Sequence, residues 1–253
     1  MINDLFRFKM KAMKVMIFES KIQAAQFTSQ QIFNHIKSNP EEAIGLATGA
    51  TMIPVYEEFV KLAQAEPIPL KNKYFLLDEY LGMNSLHPES FRNYIRRYFQ
   101  DPLHLQDDQF IAPYEGDFSS VEESILHYET QLKSSHGISL QLLGIGQNGH
   151  IGFNEPGSKI DSTVRRVFLT ESTRLANKAQ FPHEEVPREA VTTGLSNIFK
   201  SKKILLLATG KSKALAVEKL QDKMWDSDWP ATSLVHHHDF LLVLDKEAAE
   251  RIR

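Results

Sequence analysis

The stretch LLGIGQNGHIGFNEPG, Leu142–Gly157, carries an apolar run straight into a glycine-rich loop. Gly144-x-Gly146-x-x-Gly149 has the spacing of a dinucleotide-binding turn. Such a fingerprint opens a helix directly. Here Gly149-His150-Ile151-Gly152-Phe153 runs on into Asn154-Glu155-Pro156-Gly157, and Pro156 disfavours helix at Glu155. The competing reading is a tightly curled loop that presents Asn148, His150 and Glu155 to one cavity. A carboxylate beside an imidazole fixes its tautomer and raises its basicity. A lone histidine is more often structural; the density of Asn, His and Glu among glycines favours the loop.

Outward from this stretch, short apolar runs alternate with amphipathic ones. Strands are expected at Val15–Phe18, Ala43–Thr48, Tyr74–Leu77, Leu140–Ile145, Val164–Leu169, Ile204–Ala208 and Phe240–Leu244. Ile22, Ala25, Ser29, Ile32, Phe33 and Ile36 share one helical face, closed by Asn39-Pro40. Further helices are expected at Pro54–Ala65, His87–Phe99, Val121–Ser134, Glu189–Phe199 and Ser212–Leu220. The alternation predicts an α/β fold: a doubly wound, mostly parallel sheet with helices on both faces, a Rossmann-like three-layer sandwich. In such sheets ligands bind beyond the carboxyl ends of the strands.

The totals narrow the function. The chain has 253 residues, 42% hydrophobic and 24% charged, with a net charge of −3. No bulk basic field points to nucleic acid. The absence of cysteine excludes disulfides, thiolate metal sites and a cysteine nucleophile. In the N-terminal MINDLFRFKMKAMKVMIFES, Lys11 and Lys14 interrupt every apolar run, so no membrane span is expected. Residues 1–13 read as an extension, residues 14–253 as one domain, and the cytoplasm as the default location.

Three more loops follow strands. Gly45-Leu-Ala-Thr-Gly-Ala-Thr51 precedes a helix. Gly49 lets the backbone approach a ligand, Thr48 and Thr51 offer hydroxyls, and the helix N-terminus offers free N–H groups. That suits a phosphate; a plain turn with threonine capping reads equally well. Asp78-Glu79 ends an apolar strand, and a half-buried carboxylate there could act as a general base, although helix capping or a salt bridge is the commoner role of such a pair. Alternation sends the two to opposite faces. Thr209-Gly-Lys-Ser-Lys213 puts Lys211 and Lys213 at a helix start, where cations are disfavoured unless an anion compensates; the plain alternative is two solvated surface lysines. His236-His237-His238 reads poorly as a metal site, because adjacent side chains alternate. Trp225 and Trp229 read as packing. Phe181–Pro187, FPHEEVP, suits a mobile lid or an ordinary surface loop.

Together these loops resemble the glucosamine-6-phosphate deaminase/isomerase family, from about Lys14 to Leu244. The most specific part is Gly144-x-Gly146-x-Asn148-Gly149-His150-Ile151-Gly152-Phe153-Asn154-Glu155-Pro156. Leu77-Asp78-Glu79-Tyr80-Leu81-Gly82 with His87-Pro88-Glu89-Ser90 is nearly as specific. Related sugar-phosphate lactonases share the glycine-histidine core without the Asn-Glu-Pro ending. The resemblance implies an aldose–ketose isomerisation with loss of ammonia and no cofactor or metal. It implies an amino-sugar phosphate as partner, with self-association open. Asp78 matches the base that moves a proton from C2 to C1. His150 matches the residue that opens the pyranose, and Glu155 the partner that holds and charges its imidazole. Gly49, Ala50 and Thr51 match the phosphate loop, and Lys213 the phosphate-binding lysine.

Several positions depart from the family pattern. Asn148 stands where some members carry aspartate, leaving Glu155 to neutralise the imidazolium. Ala179 stands where an arginine is typical, with Lys178 or Arg174 as stand-ins, and Met52 replaces a usual proline. Arg165 matches one allosteric position, but Val167 replaces its lysine, so no activation by N-acetylglucosamine 6-phosphate is expected. A galactosamine-6-phosphate deaminase, another isomerase or a lactonase on the same scaffold, and a non-enzymatic sensor are the alternatives.

Overall fold

The computed structural model describes residues 13–222 and 224–252, so the expected N-terminal extension lies, apart from Met13, outside the described residues. The chain enters along β1 (Lys14–Phe18) and turns at Ser20, whose hydroxyl accepts from the Gln23 N–H at 3.3 Å and caps α1 (Lys21–Ser38). The helix buries the expected stripe at Ala25, Ser29, Ile32, Phe33 and Ile36, while Ile22 stays exposed. β2 (Ala43–Leu46), α2 (Ile53–Ala65) and β3 (Tyr74–Leu76) follow. Then come β4 (Asp78–Tyr80), α3 (Phe91–Ile95), β5 (Phe110–Ile111), α4 (Val121–Ser134) and β6 (Ile138–Leu143). The second half adds β7 (Arg165–Phe168), α5 (Glu171–Asn177), β8 (Glu189–Thr192) and α6 (Leu195–Phe199). It ends with β9 (Lys203–Ala208), α7 (Ala214–Lys219) and β10 (Phe240–Asp245).

Seven strands form one parallel sheet in the order β1-β10-β9-β6-β2-β3-β5. Its strands are apolar on both faces because helices cover both. Leu205, Leu207, Leu241 and Val243 join the core under α1 and α2. Their neighbours Ile204, Leu206, Leu242 and Leu244 join the core under α6 and α7. The connections run from β2 towards β3 and β5 on one side, and from β6 towards β9 and β10 on the other. The loops after β2 and β6 therefore part at the middle of the sheet and leave a crevice between them.

A second sheet of three antiparallel strands, β4-β8-β7, overhangs that crevice. Here the expectations need correction. The run expected as one strand over Tyr74–Leu77 ends at Leu76, and the chain changes sheets at Leu77. The Leu77 N–H donates to the Leu46 carbonyl at 3.1 Å, and its carbonyl accepts from the Thr193 N–H at 2.8 Å. Glu189–Phe199, expected as one helix, is a strand followed by a short helix. Ala190 and Val191 pair with β4 on one side and β7 on the other, and that pairing overrides the helical pattern. The strand expected at Val164–Leu169 lies in this small sheet rather than the parallel one. The helix expected from His87 starts only at Phe91, because Ser90 caps it, accepting from the Asn93 N–H at 3.0 Å.

Candidate active site

The crevice is a cavity of 410 Å³. One end is the loop after β2. Thr48, Gly49, Ala50 and Thr51 all line it. Gly49 has φ of 105° and a Cβ there would meet nothing within 4 Å, so its backbone is open towards the cavity. The loop is held from behind: the Tyr94 hydroxyl donates to the Gly49 carbonyl at 2.8 Å, and the Tyr56 hydroxyl to the Ala47 carbonyl at 2.6 Å. Met52 caps α2 without a side-chain hydrogen bond; Pro54 has no N–H and the Val55 N–H donates to the Met52 carbonyl at 3.0 Å, so in the first turn the Ile53 N–H is the one left open. Lys213 lines the same cavity, and burial pulls its ammonium below the ordinary lysine value. No carboxylate among the described residues pairs with it. Lys211, its sequence companion, turns outward to Glu250 at 3.2 Å. Of the two lysines read as anion partners, one reaches the cavity and the other is a surface ion pair.

The glycine-rich loop forms the cavity's middle. A Cβ at Gly146 would lie 2.3 Å from the His150 ring, so only glycine lets the imidazole lie across the loop. His150 Nδ1 meets Asn148 Oδ1 at 2.8 Å, and Asn148 Nδ2 donates to Glu155 Oε2 at 2.8 Å. The carboxylate can only accept, so the amide turns its NH₂ to Glu155 and its oxygen to the imidazole. Nδ1 then carries the hydrogen, and Nε2 keeps its lone pair. The expected pairing of Glu155 with the imidazole is an ion-pair contact, 3.7 Å from Oε2 to Nδ1, and the Asn148 amide bridges the two by hydrogen bonds. Thr173 Oγ1 donates to the other oxygen, Glu155 Oε1. Burial pulls His150 below the ordinary imidazole value; Glu155 counters it, and the Lys213 charge adds to it. His150 lines the cavity, whereas Asn148 and Glu155 stand behind it.

The carboxylate pair at β4 divides as alternation predicts. Asp78 lines the cavity. Burial pushes its carboxyl up to about 8, and the neighbouring charge of Glu79 adds to the rise. Glu79 points the other way, into the first turn of α3. Phe91 and Phe153 line the cavity beside Asp78 and exclude water from that side.

The remaining wall comes from residues that sequence patterns did not single out. Asn177 and Gln180 line the cavity, and Asn177 Nδ2 donates to the Tyr80 hydroxyl at 2.9 Å. Ala179 lies outside the lining. The two cations offered as stand-ins at that position turn away: Lys178 Nζ donates to the Glu184 carbonyl at 2.9 Å and Arg174 Nε to the Val186 carbonyl at 3.2 Å. They fasten the Phe181–Pro187 segment, which is anchored by buried Phe181 and Val186. Thr209 and Ser212 also line the cavity. Their place in a strand-then-helix loop beside Lys213 was the signal that could have found them; Asn177 and Gln180 carried none.

Other singled-out residues lie elsewhere. Trp229 packs against Gly149, and both tryptophans flank the core under α7. The ring of His237 is buried, with Nε2 on the Ser201 carbonyl at 2.7 Å. Among the described residues no group of three histidines or carboxylates is arranged to hold a metal ion. Arg165 occupies a separate hollow, its guanidinium on Asn154 Oδ1 at 2.9 Å and Ser158 Oγ at 3.3 Å. No helix of the described residues is long and apolar enough to cross a membrane.

Comparison with known proteins places this geometry among relatives. The profile of the glucosamine-6-phosphate isomerases/6-phosphogluconolactonase family matches residues 19–243. A glucosamine-6-phosphate deaminase of Bacillus pumilus is 41% identical over 238 residues, 93% of this chain and 98% of the relative. One from Thermoanaerobacter sp. is 39% identical over 242 residues, 95% of each chain. The solved structure of a monomeric glucosamine-6-phosphate deaminase superposes with a TM-score of 0.90 at 37% identity, covering 94% of this chain and all of that one. The 6-phosphogluconolactonase of Trypanosoma cruzi superposes with a TM-score of 0.76 over 97% of this chain and 98% of its own, at 21% identity, a likeness of fold alone.

Proposed function

The chain belongs to the glucosamine-6-phosphate isomerase/6-phosphogluconolactonase family, and from that membership we infer that it is a glucosamine-6-phosphate deaminase. It converts glucosamine 6-phosphate and water to fructose 6-phosphate and ammonia. The observation that carries the residue roles is that Asp78, His150, Lys213 and the Thr48–Thr51 loop line one cavity.

On this reading the phosphate sits against the N–H groups of the Thr48–Thr51 loop, with Lys213 as counter-charge. Binding there, away from the reacting carbons, supplies orientation. His150 Nε2, the free nitrogen, exchanges a proton with the ring oxygen and C1 hydroxyl so that the pyranose opens to the aldehyde. Glu155 supports the imidazolium through the Asn148 amide. Asp78 takes the C2 proton while the substrate's ammonium passes one to the C1 oxygen, forming the enolamine, and Asp78 then returns its proton to C1. C2 is then an iminium ion; water adds to it and ammonia leaves, giving the ketose. A carboxyl raised to about 8 by a dry site is a far stronger base than one in water. The solved relative is monomeric, which favours one chain as the working unit. A phosphorylated sugar does not cross membranes unaided, which favours the cytoplasm as the place of work.

The test is ammonia release from glucosamine 6-phosphate, with galactosamine 6-phosphate and 6-phosphogluconolactone run in parallel. Turnover of the first, well above the other two, is expected. Lactone hydrolysis without ammonia release would overturn the reading, and faster turnover of the galactosamine ester would reassign the substrate.

A further inference from the structure

Beside the cavity lies a buried carboxylate that the reaction above does not use. Glu79 is 1% exposed and faces away from the substrate space. Its Oε1 accepts from the N–H groups of Tyr80 at 2.9 Å and Phe91 at 3.0 Å, and its Oε2 from that of Arg92 at 2.8 Å. Two of these donors open α3, whose first residue, Phe91, lines the cavity. The other, Tyr80, ends β4, the strand that Asp78 begins. Arg92 is itself fixed, its guanidinium donating to Gln100 Oε1 at 2.7 Å and Asp107 Oδ1 at 2.6 Å. By contrast, the Asp78 carboxylate takes no hydrogen bond from any described residue. A three-residue strand carrying a bare carboxylate needs an outside hold.

We propose that Glu79 is a positioning residue for the deamination: it pins the end of β4 to the first turn of α3 and so fixes where Asp78 stands in the cavity. The inference rests on the reading of Asp78 as the base. Burial lifts Glu79 to about 7, but three N–H donors hold it below Asp78 at about 8, so of the pair Glu79 ionises first and Asp78 last. The charge of Glu79 then makes Asp78 a stronger base. The other groups facing the pair do not replace it. Tyr80 and Tyr128 are raised by burial and stay neutral, and Glu89 acts on Tyr80. Arg92 acts on Glu79. His150 and Lys213 share the cavity with Asp78.

Two variants separate hold from charge. Glu79→Gln keeps an acceptor but loses the charge, and places an NH₂ against one of the N–H donors. Glu79→Asp keeps the charge but shortens the reach to α3. Both are expected to lower kcat, about tenfold to 10²-fold, with KM little changed, since Glu79 touches neither the Thr48–Thr51 loop nor Lys213. The acid limb of the kcat/KM profile should move to lower pH in Glu79→Gln and stay in place in Glu79→Asp. Carboxyl-¹³C NMR of Asp78, assigned with Asp78→Asn, reads the same midpoint without substrate. An Asp78 midpoint unmoved in Glu79→Gln, or kcat equal to the parent in both variants, overturns the proposal. If the parent releases no ammonia from any hexosamine phosphate, the deaminase reading fails on that result, and the NMR titration still decides what Glu79 does to Asp78.

Discussion

The two long walls of the cavity are made in opposite ways. The wall built on the parallel sheet offers Thr48, Thr51, the N–H groups of a loop held by the tyrosines behind it, and Lys213, groups that attract an anion. The wall under the small antiparallel sheet offers Asp78 among Phe91, Phe153 and Leu77, a carboxylate deprived of water and of hydrogen-bond donors. One wall suits binding and the other proton transfer. The difference teaches that the two tasks need opposite solvation: a phosphate site gains from exposed donors, whereas a base gains from dryness. His150, on the loop between the walls, has features of both.

Changes that break this division should separate in kinetics. The largest effect is expected for Asp78→Asn, a fall in kcat of about 10²–10⁴-fold with sugar-phosphate affinity largely kept, read by ammonia release and by ligand titration. Activity close to the parent's would remove Asp78 from the chemistry. On the other wall, Lys213→Ala should raise KM by about tenfold to 10²-fold while sparing kcat. A loss confined to kcat would contradict the assignment of this wall to binding. Between them, Asn148→Leu removes the bridge from Glu155 to the imidazole, and a fall in kcat of about tenfold is expected; Asn148→Asp should retain activity.

The pH dependence sharpens the same contrast. Since the carboxyl of Asp78 is raised to about 8, kcat/KM should climb through neutral pH rather than near the ordinary carboxylate value. A folded-state value above the unfolded one means that the stability from neutral Asp78 is complete below the ordinary value of 3.8 and is lost as pH rises through about 8. Asp78→Asn should therefore unfold at a higher temperature than the parent, by a margin that grows from about pH 5 to about pH 8. The smallest effect is expected away from both walls. Adding N-acetylglucosamine 6-phosphate should leave the rate unchanged, because Arg165 is engaged by Asn154 and Ser158 and Val167 brings no charge; a rate increase would show that the hollow binds the sugar productively.

The parallel sheet was legible because its strands are apolar runs and its helices periodic, and both are local patterns. The cavity-lining places of Thr48–Thr51, Asp78, His150 and Lys213 followed from one rule about the ends of parallel strands. The small sheet was not legible. Glu189–Thr192 has the residues of a helix start and becomes a strand only because β4 and β7 flank it. Ala179 draws attention in the chain, yet Asn177 and Gln180 are the residues of that segment that line the cavity.

The amino-acid sequence by itself determined the three-layer architecture, the loops that carry polar chemistry and the opposed directions of Asp78 and Glu79, because period and spacing are properties of neighbouring residues. Only the tertiary structure decided that Asn148 stands between His150 and Glu155, that Lys211 turns outward while Lys213 turns in, and that Glu79 grips α3. The first depends on how one glycine-rich loop curls, the others on where separate elements pack, and neither is set by the period or spacing of neighbouring residues.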